Sequence, residues 1–179
     1  MILRETALAG VFVVDVERHD DNRGFFARAW SAADLAMHGL ESGLVQSGIS
    51  FNRRRGTLRG LHYQLAPHGE TKLVRCTRGA ALDVALDIRA GSPTFGQHVT
   101  VELTEDNHRA LYIPAGLAQG FQTLVDDTEL LYAMTGAHAP DAARGIRYDD
   151  PAFAIAWPIA DPIMLERDRT YLDWVPGQA

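Results

Sequence analysis

Hydrophobic and polar positions along this chain alternate over short stretches, and the period is that of a β-strand. Residues 11–16 read Val-Phe-Val-Val-Asp-Val, and after a polar turn over 20–24 the pattern resumes at 25–30 as Phe-Phe-Ala-Arg-Ala-Trp. Further strands are predicted over 44–51, 57–64, 72–78, 81–88, 96–103, 109–113, 120–124 and 129–135. The connections between them (77–79, 90–93, 105–107, 125–127) are short and carry Gly, Pro, Asp or Asn, the residues that turn a chain. Many short strands in close succession predict an all-β sandwich or barrel rather than a parallel α/β sheet. Residues 31–37 depart from the two-residue period and read as one short helix, with Ser31 as its N-cap, Asp34 at the third position and His38-Gly39 as its end. After Pro140 the pattern becomes loop-like with a few apolar anchors, and 163–169 reads as a second short helix. No repeat or low-complexity linker divides the chain, so one domain over residues 1–179 is expected.

The alternation also sorts side chains by face. In 81–88, Leu82, Val84, Leu86 and Ile88 share one side and Ala81, Asp83, Ala85 and Asp87 the other, which predicts a half-buried strand. The two acids line an interior polar cavity or face water, and the spacing allows both. In 57–64, strict alternation puts Leu58, Gly60, His62 and Gln64 on one face, with Arg59, Leu61 and Tyr63 on the other.

Composition narrows the function classes. A chain of 179 residues with 46% hydrophobic content supports one substantial core. A net charge of -6 argues against a nucleic-acid-binding surface, though not against one small phosphorylated ligand, which needs only a few placed cations. The single cysteine, Cys76, leaves no internal disulfide and no cysteine-based zinc site. The first residues lack the layout of a signal peptide, and no run approaches the ~20 apolar residues of a membrane span. A cytoplasmic protein with no membrane partner is expected.

The densest chemistry lies in Thr57-Leu58-Arg59-Gly60-Leu61-His62-Tyr63-Gln64, followed by Lys72. On its own, His62 is either a buried imidazole with one backbone partner or a proton-transfer group. An interior histidine in a β-barrel invites a metal, but Gln64 and Gln119 stand where further ligands are needed. Only His68 and Glu70 lie nearby, so no metal and no cofactor are expected. A Gly-x-Ser-x-Gly elbow and a phosphate-cradling glycine loop before a helix are both absent. What remains is His62 and a tyrosine as acid and base, with Lys72 and Arg59 as cations. That set suits removal of a proton next to a carbonyl, with a cation holding the developing enolate oxygen. The basic loop Asn52-Arg53-Arg54-Arg55-Gly56 is a solvated turn or a rim that attracts an anion.

Several motifs carry a resemblance to a known family: Asp21-Asn22-Arg23-Gly24-Phe25-Phe26, Gly56-Thr57-Leu58-Arg59-Gly60-Leu61-His62-Tyr63-Gln64, Lys72-Leu73-Val74, Ser92-Pro93-Thr94-Phe95-Gly96, Leu131-Tyr132, Asp149-Asp150-Pro151 and Glu166-Arg167-Asp168. In their order and spacing over nearly the whole chain, it resembles the dTDP-4-dehydrorhamnose 3,5-epimerase family. The resemblance implies a double-stranded β-helix, a cupin-like jelly roll with short peripheral helices. It also implies a homodimer in which N-terminal strands cross to the partner. The implied activity is metal-free epimerisation of a 4-keto-6-deoxy nucleotide sugar at carbon 3 and/or carbon 5. By the same resemblance His62 is the base, Asp168 pairs with it, Tyr132 is the acid on the opposite face of the ring, and Lys72 holds the 4-keto oxygen. Arg59 binds the diphosphate, Arg23 and Phe26 reach the nucleotide in the partner's site, and Gln46 contacts the ligand. The chain departs from the family at ligand positions: Arg28 replaces a usual Glu, Gly48 an Asn and Gln119 a His, while His138 and Ala143 lie where an aromatic and a Glu are common. Arg28, Gln119 and His138 therefore join the candidate substrate contacts. The substrate remains open between dTDP and other (CDP, GDP or UDP) sugars. A catalytically weak cupin that only binds a nucleotide sugar is the alternative.

Overall fold

The computed structural model describes residues 1–175; the final residues of the expected domain, 176–179, lie outside the described part. Thirteen strands and two short helices follow one another as β1 (Ile2–Glu5), β2 (Phe12–Asp15), β3 (Arg18–Asp21), β4 (Gly24–Ala27), α1 (Ala32–Met37), β5 (Gln46–Asn52), β6 (Leu58–Gln64), β7 (Lys72–Arg78), β8 (Ala80–Asp87), β9 (His98–Thr104), β10 (Ala110–Ile113), β11 (Leu117–Thr123), β12 (Thr128–Met134), β13 (Ala143–Gly145) and α2 (Glu166–Arg169). A six-stranded sheet has the order β1-β2-β10-β7-β12-β5 and a five-stranded sheet the order β13-β6-β11-β8-β9, while β3 and β4 form a hairpin apart from both. All strand pairings within these sheets are antiparallel, and sequence-distant strands lie side by side, as a jelly roll requires.

The core lies between the two sheets. Val74, Cys76, Leu111, Ile113 and Leu130 come from one, and Ala81, Ala85, Leu103, Leu117 and Phe121 from the other. A second apolar layer covers the outside of the five-stranded sheet, where Leu61, Tyr63, Val84 and Leu86 meet Ile146 and Phe153 of the C-terminal loops. A third lies outside the six-stranded sheet, where Leu35 of α1 packs on Val14, Leu73 and Tyr112. Because both faces of β8 are covered, it is buried continuously from Asp83 to Asp87 rather than half-buried as its alternation predicts, and both acids are interior.

Local chemistry explains the elements. Ser31 caps α1 by accepting the Asp34 backbone N–H, as its sequence predicts. Asp87 accepts bonds from Arg89, Ser92 and Thr94 and so ties the 88–95 turn to the end of β8. Burial alone pushes the Asp87 carboxyl up, but those donors win and hold it well below the carboxylate range. The polar stretch 20–24 is the tip of the β3–β4 hairpin rather than a bare turn, and β4 ends at Ala27, short of the expected 30. β11 starts at Leu117, three residues before its predicted start, inside a Pro- and Gly-bearing stretch that reads as a turn. The second helix is confined to Glu166–Arg169, since Ile163 instead bridges to Thr57.

β6 departs most from its sequence pattern. It pairs with β11 as His62 opposite Gln119 and Arg59 opposite Phe121, so three steps on β6 span two on β11. This bulge shifts the side-chain phase by one position. Arg59 and His62, on opposite faces by strict alternation, therefore line the same cavity, while Leu61 turns into the outer apolar layer. Gly60 makes this possible. Its φ is +115°, and a Cβ there would lie 2.6 Å from the Gly120 Cα and 2.7 Å from the Gln119 carbonyl oxygen.

Candidate active site

The mouth of the sandwich opens into a cavity of about 790 Å³, with β6, β11 and α2 on one side and β7 and β12 on the other. His62, Lys72, Tyr132, Asp168, Arg59, Gln119 and His138 all line it, so seven of the residues singled out from sequence converge.

His62 on β6 is 35% exposed, and its Nε2 lies 2.9 Å from Oδ1 of Asp168, whose side chain is 2% exposed. Asp168 sits in the first turn of α2 and also accepts the Gly60 N–H at Oδ2 (3.3 Å) and the Arg167 Nε–H at Oδ1 (3.2 Å). Burial pushes this carboxyl up, but His62, Gly60 and Arg167 outweigh it and hold it below its ordinary value. An ionised carboxylate only accepts, so the hydrogen of neutral His62 belongs on Nε2 and the lone pair on Nδ1. Arg167 Nη2 stands 3.4 Å from the same His62 nitrogen.

Lys72 on β7 is almost fully enclosed. Its Nζ lies 3.5 Å from Glu70 Oε1 and donates to the His62 carbonyl at 3.4 Å. Burial lowers its proton affinity, while Glu70 and Asp83 pull it back up. Tyr132 on β12 faces the cavity from the opposite sheet. Burial and the Asp83 charge push its phenol up, and the Gln119 amide and Arg59 act the other way. Asp83 is 0% exposed and receives Gln119 Nε2 at 2.6 Å; burial pushes its carboxyl up to about 7 even though Gln119 and Lys72 oppose it. Arg59 is steadied by Asn52 Oδ1 at 2.8 Å and keeps an exposed guanidinium at the cavity wall.

Four sequence candidates lie away from the cavity lining. Gln46 donates to the Gly136 carbonyl at 2.7 Å. Arg23 pairs with Asp21 at the hairpin tip, Arg28 lies 3.6 Å from Asp34, and Phe26 is 72% exposed. Gln64 spends its amide on backbone, donating to the His68 and Ala137 carbonyls and accepting the Ala139 N–H, which anchors the loop carrying His138. The arginines at 53–55 are exposed and lie outside the cavity lining. Sequence reasoning missed Arg167, Arg144 and Tyr171 in the lining. Arg167 adjoins Asp168 in the chain, and that adjacency was the available signal.

An imidazole held by a carboxylate, a buried ammonium and a phenol on the facing sheet suit proton transfer at a carbon beside a carbonyl, and the fold around them is a cupin-like jelly roll; the class of protein they fit is an epimerase. Known proteins make the class specific. The model of the dTDP-4-dehydrorhamnose 3,5-epimerase family matches residues 5–175, and the chain belongs to that family of isomerases. A dTDP-4-dehydrorhamnose 3,5-epimerase of Sinorhizobium fredii is 40% identical over 95% of this chain and 88% of its own length. One of Pseudomonas aeruginosa is 42% identical over 91% of this chain and 90% of its own. The crystal structure of the Bacillus anthracis dTDP-4-dehydrorhamnose 3,5-epimerase with TDP and PPi bound superposes with a TM-score of 0.93 at 35% identity, covering 97% of this chain and 99% of that one.

Proposed function

We propose that the protein epimerises a 4-keto-6-deoxy nucleotide sugar of the dTDP-4-dehydro-6-deoxyglucose kind, at carbon 3, carbon 5 or both, in deoxysugar biosynthesis in the cytoplasm. His62 Nδ1 removes the proton next to the 4-keto group, and Asp168 stabilises the imidazolium that forms. The electron pair moves into the carbonyl, and Lys72 holds the resulting enolate oxygen. Tyr132 gives a proton to the same carbon from the other side. The single observation that carries this reading is that His62 and Tyr132 face one cavity from opposite sheets. Two groups on opposite sides of a flat enolate invert a centre, whereas two groups on one side return the same configuration. The residues that move the protons belong to the protein, so the reaction needs no cofactor.

Arg59 takes the diphosphate at the cavity wall. Arg23, Phe26 and Arg28 stand on or beside the outlying hairpin, and we assign them, with Gln46 and His138, to nucleotide contacts that a homodimer completes when the N-terminal segment reaches the partner's site. The decisive experiment incubates the protein in deuterated water with dTDP-, CDP-, GDP- and UDP-4-keto sugars. Deuterium at carbon 3 or carbon 5 of the dTDP sugar, absent with His62→Ala, is the expected result. Exchange with a different nucleotide sugar alone would correct the substrate, and binding without exchange of any member would reduce the protein to a nucleotide-sugar binder.

A further inference from the structure

Lysine occurs once in this chain. Of the 17 Lys and Arg residues 16 are Arg, and the single lysine is Lys72, enclosed in the cavity. A guanidinium is planar and keeps its proton in any protein, whereas an ammonium is compact, donates in three directions and owes its charge to its surroundings. Lys72 Nζ has the Glu70 carboxylate at 3.5 Å and the His62 carbonyl at 3.4 Å. Charged hydrogen bonds run at about 2.7–2.9 Å, so neither contact saturates the ammonium. Three hydrogens meet two long contacts, which leaves donor capacity for an oxygen in the cavity that Lys72 lines.

Glu70 is as enclosed as its partner, with 11% of its side chain exposed against 10% for Lys72. Backbone fixes its root. A Cβ on Gly136 would lie 2.9 Å from the Glu70 Cβ, so glycine lets the chain after β12 close on it, and Gln46 of β5 holds the Gly136 carbonyl at 2.7 Å. The next residue, Thr71, is bonded to Thr135 in both directions: its N–H donates to Oγ1 at 3.0 Å and its carbonyl accepts the Thr135 N–H at 3.1 Å. The start of β7 and the end of β12 thus hold the carboxylate against Lys72.

We infer that Glu70 is the positioning residue of Lys72: its carboxylate keeps the enclosed side chain in place as a cation and leaves it a hydrogen for the substrate's carbonyl oxygen. Among the described residues Glu70 is the one acid that forms an ion pair with Lys72. Burial favours the neutral amine, and the Glu70 charge opposes it, with Asp83 of β8 acting in the same direction. On the remaining sides of the cavity stand Arg59 and His62 of β6, Tyr132 of β12, and Arg167 and Asp168 of α2. A carboxylate in full hydrogen-bond contact would consume the donor that a developing enolate needs; at 3.5 Å Glu70 supplies charge and leaves the donor.

This inference rests on Lys72 holding the 4-keto oxygen in the proposed reaction, and the test separates the two. Glu70→Gln keeps the shape and removes the charge, while Glu70→Asp keeps the charge and draws it back. Protein labelled with 13C-lysine gives a single lysine Cε signal, because the chain has one lysine, and its titration is read by NMR without substrate. The pH profile of kcat/KM with a dTDP-4-keto sugar is measured beside it. The Lys72 midpoint is expected to move to lower pH in Glu70→Gln and part of the way in Glu70→Asp. kcat/KM should fall about 10-fold or more at the alkaline end and stay within about threefold of wild type at the acid end of the active range. An unmoved midpoint in folded Glu70→Gln, or a loss of kcat/KM equal at every pH, overturns the positioning role. A midpoint that moves as expected in a protein that epimerises no 4-keto sugar keeps the ion pair and sinks the proposed function instead. If Glu70→Gln does not fold, Glu70→Asp decides, and an unmoved midpoint and pH profile there overturn the role.

Discussion

At the scale of single residues, the proposed proton transfer depends on which nitrogen of His62 is bare. Asp168 is ionised and takes the Nε2–H, so Asp168→Asn is expected to lower kcat by about 10²–10⁴-fold with little change in KM. An amide that donates to Nε2 would move the hydrogen to Nδ1 and silence the base. Steady-state kinetics check this, and a loss smaller than about threefold would count against the pair. Arg59→Ala should act on binding instead, raising KM by roughly 10- to 150-fold, the worth of one charge-assisted bond to a phosphate at ~1.5–3 kcal/mol. The two buried acids have opposite pH signs. Asp168 is held below its unfolded value, so its stabilisation is present above that value and is lost as pH falls through the folded one. Asp83 is raised to about 7, so its contribution is present in acid and is lost as pH rises toward 7. Asp83→Asn should therefore gain thermal stability relative to wild type between about pH 4 and 7, levelling off above, by on the order of a few kcal/mol. Melting curves across that range that run parallel would refute it. The local motif around His62 was legible in the chain, and its likeness to a known family pointed to Asp168. The Arg167 contacts to the pair and the burial of Asp83 were not. His62 and Asp168 are 106 residues apart, and what surrounds a side chain is set by elements that local spacing does not register.

At the scale of elements, period-two alternation found most of the strands, because a pleated chain between two apolar layers must alternate. It missed β1 and β13, which are short and lie at sheet edges, where little of either face is buried, and β3, whose four residues are all exposed. It also put Arg59 on the wrong face of β6, although Leu61 and Tyr63 share the outer layer and His62 and Gln64 the cavity as alternation expects. A bulge is a property of a pair of strands, and the partner here is β11, whose register no reading of residues 57–64 contains. The sequence did hold the clue in Gly60 and Gly120, the one place among the described residues where a Cβ would fall under 3 Å from a neighbouring backbone atom. Gly60→Ala is therefore expected to cost about 3–5 kcal/mol, read as a drop in denaturation midpoint, since the new methyl meets backbone rather than a movable side chain. What remains folded should also lose activity, because the bulge is what brings Arg59 and His62 to one face. A variant of wild-type stability would show that β6 tolerates regular pairing and that the bulge is not needed.

At the scale of the whole molecule, the β3–β4 hairpin is the element the rest of the chain leaves least explained. It pairs with neither sheet, its Phe26 is 72% exposed, and its Phe25 ring is met by Arg18 at 4.1 Å and by His108 at 4.9 Å. A two-stranded ribbon is marginal by itself, and an aromatic this open on a polar hairpin is more economically explained by a surface it docks on than by solvent. The exposed apolar side chains Val45, Ile49 and Phe51 along the edge strand β5 and the residue before it add a second uncovered surface. If the hairpin completes the partner's cavity, complementation follows from symmetry. A His62→Ala chain and an Arg23→Ala/Phe26→Ala chain should each be nearly inactive alone. In a mixed dimer, one cavity receives His62 from one protomer and an intact hairpin from the other, while the second cavity has neither. Random pairing makes half of the dimers mixed and half of their sites whole, so co-expression should restore roughly a quarter of wild-type activity. Recovery of that size, together with a dimer mass in solution, would tie the outlying hairpin to catalysis in trans. Activity no higher than that of either parent, or a monomer of full activity, would confine the site to one chain and leave Arg23 and Phe26 without a role in it.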